Sequence, residues 1–218
     1  MNLVVDAASY PFRESGKYML IWGAVLSVIA SLAGLAPILG FFAVLFISAY
    51  FCATYFSIVE TTAVGQAIAP QFPDVSNTLE DLLVPFLKVL AVFVISFLPY
   101  IAYLLATGVD DAIADLLLIL GIVYFPLAIL AVIVLGYLGA MSPMIVIPGI
   151  FRAGGSYIVA VLFLALIYFL EAFVAEIFEN SLFIGPIIMG LLGMYVLMAS
   201  ARTLGKVYQN RSEELNWL

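Results

Sequence analysis

The sequence predicts an all-α integral membrane protein: six transmembrane helices in a single bundle, with interfacial helices on the cytoplasmic side and both termini cytoplasmic. Three observations predict it. The first is composition: 66% of the 218 residues are apolar and 10% are charged. Soluble domains run at about 45–50% apolar and about 25% charged. A soluble fold of this size has too little interior for so much apolar surface, whereas lipid accepts it. The second is that apolar stretches long enough to cross a bilayer recur six times. The third is the placement of the seven Lys and Arg residues. Arg13 and Lys17 precede the first stretch, and Lys88 opens the third. Arg152 lies between the fourth and fifth, and Arg202, Lys206 and Arg211 follow the sixth. The intervening loops on the other side carry no base, so the positive-inside rule orients the chain.

The elements follow in order. An interfacial segment over 2–17 leads to the first span, 18–35. Asp6 and Glu14 stand beside the bases there. The segment thus lacks the basic leader of a signal peptide, and the first span is expected to be retained. Pro37 and Gly40 make an outer turn. The second span, 38–68, is longer than a bilayer core requires, so Glu60, Thr61 and Thr62 are expected at the headgroups. A polar loop over 66–81 is broken by Pro70 and Pro73. Asn77 followed by Glu80 reads as an N-cap with its capping-box partner. A helix then restarts near Thr78, giving an interfacial segment over 77–88 that runs into the third span, 83–106. Gly108, Asp110, Asp111 and Asp115 mark the next outer loop.

The fourth span, 112–139, carries Pro126 as an expected kink. The stretch 142–156 holds Pro143, Pro148, Gly149, Gly154 and Gly155. It reads as too broken for a helical span and too apolar for a water-filled loop, and is assigned to the cytoplasmic interface. The fifth span is 157–177 and the sixth 182–201, joined at Glu179, Asn180 and Ser181. The polar tail beyond Arg202 ends near Trp217, a candidate interface anchor. Small residues, among them Gly23, Ser27, Ser31 and Gly190, sit at spacings that let helices approach closely.

Pro11-Phe12-Arg13, Pro85-Phe86 with Lys88, and Pro148 with Phe151-Arg152 precede the three odd-numbered spans. This pattern suggests three helical hairpins, each entered from the cytoplasmic interface. The same start, Ser9-Tyr10-Pro11-Phe12-Arg13, belongs with a second set of short motifs. These are Pro70-Gln71-Phe72-Pro73-Asp74, then Leu82-Leu83, Phe86-Leu87-Lys88-Val89-Leu90 and Phe97-Leu98-Pro99. Together they resemble a prokaryotic polytopic membrane family known only as domain of unknown function number 4013, over roughly residues 9–150. The resemblance implies multi-pass topology and a bacterial or archaeal origin, and it implies no chemistry. Glu60 and Thr61 stand where the family pattern has a base.

No catalytic motif is present. The chain has no His and one cysteine, Cys52. This removes the usual neutral-pH proton shuttle, any intramolecular disulfide and any thiol-based metal site. Gly154-Gly155-Ser156 is not a nucleophile elbow, and no phosphate-binding loop or dinucleotide fingerprint occurs. No cofactor or metal is expected. The net charge of −7 and the scattered bases speak against nucleic acid.

Carboxylates within spans remain, because burying one is costly and usually has a reason. Glu171 lies about 14 residues into the fifth span, roughly 21 Å at 1.5 Å per residue, with no base on its side. Glu176 and Glu179 follow on one helical face. With Asp110, Asp111 and Asp115 they put six acids and no base on the outer side, a candidate cation-attracting vestibule. Glu60 forms a second polar patch with Ser57, Thr61, Thr62 and Gln66. The leading expectation is a non-enzymatic accessory or structural subunit of the prokaryotic inner membrane, packed against other membrane proteins or lipids. The alternatives are a small-solute or cation transporter or channel using the outer acids, and a lipid-handling protein. The last predicts a polar groove along the spans, which the periodicity does not reveal.

Overall fold

The computed structural model describes residues 3–33, 36–70, 72–73, 79–178, 181 and 184–217. Among them the chain is all-α, with seven α-helices and no strand. Helix α1 is Leu3–Ser9, followed by a 3-10 turn, Tyr10–Phe12. Helices α2 (Glu14–Ala33) and α3 (Pro37–Ala63) come next. A π turn, Leu79–Leu83, leads into α4 (Val84–Thr107), and α5 is Ala112–Leu135. A second 3-10 turn, Leu138–Met141, precedes α6 (Pro143–Phe178), and α7 is Ile184–Leu215. Helices α2 to α7 are each long and apolar enough to cross a membrane, as a multi-pass protein requires.

Burial is uneven. Half of the most apolar stretch of α5 is buried but only 11% of that of α4. Residues Pro126 to Ile133 of α5 are buried without interruption, so this half of the helix is enclosed on every side, while Ile113, Leu116, Ile119 and Leu120 of the first half are exposed. Helix α7 is the other central element. It runs antiparallel to α2, where glycines replace side chains at the crossing. A Cβ on Gly23 would stand 2.6 Å from the Met194 Cβ, and one on Gly190 would stand 2.8 Å from the Ala24 Cα. These small residues pack helices, as their spacing suggests.

Several element boundaries differ from the sequence reading. Helix α3 stops at Ala63 rather than 68, because the chain turns at Gly65 (φ +90°). Helix α5 stops at Leu135 rather than 139. Gly136 takes a left-handed conformation there and returns its N–H to the Val132 carbonyl, a glycine C-cap. The stretch 142–156 is helical from Pro143 onward. Pro143 occupies the first turn, where its missing N–H costs nothing, and the one internal break is Gly154 (φ 55°, ψ −137°). The polar tail beyond 201 continues α7 to Leu215, with Thr203, Leu204, Val207 and Tyr208 all buried. Trp217 stacks on Tyr208 at 5.9 Å. Asn77 and its expected cap, the end of the first span at Leu35, and residues 182–183 lie outside the described residues.

Candidate functional site: a lateral recess headed by Glu171

Helices α4 and α6 do not pack on each other. Helix α5 lies behind both, while α3 packs on α4 and α7 packs on α6. The gap left between α4 and α6 forms two adjoining recesses of about 230 and 470 Å3, which share Tyr55, Phe125 and Tyr168 as walls. Phe93 and Tyr168 are each about half exposed, so the gap opens sideways on the flank of the bundle.

The larger recess is apolar. Phe93 and Phe97 of α4 stand 4.9 Å apart, ring centre to ring centre, and each is 6.3 Å from Phe125 of α5. Val161, Leu164 and Ala165 of α6 complete it. These positions recur at three and four residues and so lie on one face of α6 with Tyr168. Its polar edge is Ser200 of α7, which lines the recess together with Tyr55 and Tyr168 and donates its own hydroxyl to the Leu197 carbonyl at 3.0 Å.

The smaller recess is headed by Glu171, three residues beyond Tyr168 on the same helix. Phe51 and Cys52 of α3, Val89 of α4 and Ile129 of α5 line it too. Glycine at 193 leaves room for the carboxylate: a Cβ there would lie 3.3 Å from Glu171 Oε1. Glu171 is half-buried and belongs to none of the three ion pairs among the described residues. Cys52 is half-buried and free.

The other predicted acids are placed apart from this recess. Asp111 is the N-cap of α5: its Oδ1 accepts from the Ile113 and Ala114 N–H groups at 3.0 and 3.1 Å, and its Oδ2 accepts from the Tyr103 hydroxyl at 2.9 Å. The Ala114 N–H and then the Tyr103 hydroxyl hold its carboxyl below the usual range. Asp110, Asp115 and Glu176 are exposed, and Glu179 lies outside the described residues. No group of three potential metal-ligating side chains forms among the described residues.

The predicted patch at the end of α3 is divided. Glu60 is exposed, near enough to Lys88 to feel its charge. Thr62 and Gln66 turn instead to a buried ionic centre that sequence reasoning missed. There, Asp6 of α1 receives Arg13 Nη2 at 2.6 Å and Arg202 Nε at 2.8 Å. Arg202 is 2% exposed. Its Nη1 also donates to Thr62 Oγ1 at 3.1 Å and to the Gln66 carbonyl at 2.6 Å, and its guanidinium lies 4.7 Å over the Tyr10 ring. Burial works against ionisation of Asp6, but the hydrogen bonds and charges of Arg13 and Arg202 outweigh it and hold the carboxyl below its usual range. Burial pushes the Tyr10 phenol up to about 12. The seven-residue spacing of Asp6 and Arg13 is visible in the sequence. The contact with Arg202 carries no local signal, and that base reads there only as a marker of sidedness.

No protein-family model, curated protein or solved structure matches the chain. Its function is therefore read from the arrangement itself. The recess offers an apolar cleft with three hydroxyls and one carboxylate at its edge, which is the make-up of a binding site.

Proposed function

We propose that the chain is a non-enzymatic, multi-pass protein of a prokaryotic cytoplasmic membrane that holds a lipid-like amphiphile in the recess between α4 and α6. The observation that carries this reading is the gap itself. Two long helices flank it without touching, and an aromatic cleft with the Tyr55–Ser200–Tyr168 edge fills the space between. An apolar body fits the ring-lined lobe and a polar head fits the hydroxyl edge. The recess differs from the polar groove expected of a lipid-handling protein: it is apolar, with polar groups only along its edge, and it is this pairing that supports an amphiphilic guest.

The orientation in the proposal, with both termini cytoplasmic, rests on the seven bases. Contacts such as Lys88 with the Gly136 carbonyl, Arg152 with the Leu215 carbonyl and Arg211 with Ser156 gather them about the starts of α2 and α4 and the far end of α7. That end belongs in the cytoplasm by the positive-inside rule. Kinship with domain of unknown function number 4013 is part of the same proposal and rests on the short motifs around Pro11, Pro73 and Pro99.

A second reading, the accessory subunit, draws support from α4. It is the least buried of the six long helices, and a partner's helix would find a ready apolar face there. The outer-vestibule reading draws less, because the Asp111 carboxylate is already engaged by its helix cap and Tyr103.

Native mass spectrometry in mild detergent separates the first two readings. Amphiphile binding predicts a co-purifying small molecule that is lost when Ala165→Trp fills the larger lobe. Stoichiometric recovery of another membrane protein, with no bound small molecule, would favour the accessory subunit.

A further inference from the structure

The polar head of the guest can be specified further, an inference that rests on the recess reading above. Among all the residues lining the two lobes, Glu171 is the sole formal charge. It makes no ion pair among the described residues. The titratable groups that face it are Tyr168 on its own helix and Tyr55 and Cys52 on α3. Helices α4, α5 and α7 present Val89, Phe125, Ile129, Gly193, Val196 and Leu197. None of these is a cation. A carboxylate in an apolar wall is stable in two forms, neutralised by a proton or matched by a positive partner.

We propose that the recess binds a lipophilic cation, an apolar body around one positive centre, with Glu171 as its counter-charge, and that a proton competes for the same carboxylate. The walls suit such a guest. Phe51, Phe125, Tyr55 and Tyr168 present π-faces or edges to the lobe that Glu171 heads, and a desolvated cation gains from aromatic faces. Gly193 keeps space open beside Oε1. The adjoining lobes, at about 230 and 470 Å3, together fall in the size range of small-molecule pockets. The exchange balances: one cation enters the carboxylic-acid form and one proton leaves, with no net change of charge in the wall.

The test uses the full chain in nanodiscs of neutral phosphatidylcholine and two probes of similar body. Tetraphenylphosphonium is the cation and triphenylphosphine oxide the neutral control. Binding is followed by calorimetry at pH 8 and pH 5, and proton release is read in two buffers of different ionisation enthalpy. Tetraphenylphosphonium is expected to bind saturably, more weakly at pH 5, and to release a proton at the lower pH. Glu171→Gln is expected to weaken it by about tenfold or more, the loss of one desolvated charge contact, and to abolish its pH dependence. Glu171→Asp, which keeps the charge, is expected to retain the pH dependence. The neutral probe should bind the native chain and Glu171→Gln alike, which also shows that the variant is folded.

Equal tetraphenylphosphonium binding by the native chain and Glu171→Gln overturns the cation proposal. If the neutral probe still binds in that case, the recess reading survives. If neither probe binds the native chain, both fail.

Discussion

Asp6 and Arg202 stand 196 positions apart in the chain, yet their side chains meet at 2.8 Å with both residues closed to solvent. The pair fastens the short first helix to the last one. Desolvating two charges is expensive, and the cost is recovered only when every donor and acceptor finds a partner. Here Arg13, Thr62, the Gln66 carbonyl and the Tyr10 ring supply the remainder.

Removing one member should therefore cost more than an exposed ion pair would. Arg202→Met leaves Asp6 with Arg13 alone, and Asp6→Asn leaves the buried guanidinium without its carboxylate. Each is expected to destabilise the protein by about 3–5 kcal/mol. Asp6→Asn combined with Arg202→Met should cost less than the sum of the two. Thermal unfolding in detergent of the two single variants and the double variant measures this coupling.

Acid should loosen the same centre. The Asp6 carboxyl lies below its ordinary value of 3.8 when folded. Its contribution is thus fully present above pH 3.8 and is lost as pH falls through the lower folded value. The melting temperature of the native chain should drop in that acidic window more than that of Asp6→Asn. Equal acid sensitivity of the two would remove Asp6 from the account.

The α2–α7 crossing should be intolerant of one methyl group. A Cβ on Gly190 meets the Ala24 backbone at 2.8 Å, and backbone cannot rotate away. Gly190→Ala is expected to cost about 1–3 kcal/mol by overpacking. Gly155→Ala, where a Cβ meets nothing within 4 Å, serves as the control, and its melting temperature should stay near that of the native protein.

The break in α6 should depend on glycine for another reason. A Cβ on Gly154 also meets nothing within 4 Å, but its φ of 55° lies where other residues are strained. Gly154→Ala is expected to cost about 1–3 kcal/mol. If α6 straightens instead, Arg152 should part from the Leu215 carbonyl and Arg211 from Ser156. Faster proteolysis near residue 215 would report that outcome.

Much of the helical plan was legible because lipid-length apolar runs are local signals. Gly108 and Gly136 end helices by a backbone conformation that glycine favours, which makes such ends readable in principle. The helicity of residues 143–153 is hard to read because the effect of a proline or glycine depends on its position. Pro143 sits where a proline is harmless, and Gly154 alone breaks the helix. The site was half legible. Glu171 stands out in sequence as a carboxylate without a base. Ser200, Tyr55, Phe93 and Phe97 did not, because their common recess is a product of α4 and α6 failing to touch, and single-helix periodicity carries no record of a gap between two helices. The burial of Arg202 was illegible for a similar reason: an arginine after an apolar run looks the same whether it faces water or a distant aspartate.

The Asp6–Arg202 contact also orders events in time. During synthesis the first helix emerges long before residue 202 exists, so the early chain can form only the Arg13–Asp6 pair, seven residues apart. The second arginine arrives after all the other long helices have been made. The bond thus works as a closing stitch. A product that stops short of residue 202 lacks this ionic tie between its first helix and its last, with an unfilled hollow beside Thr62 and Tyr10 where the guanidinium belongs.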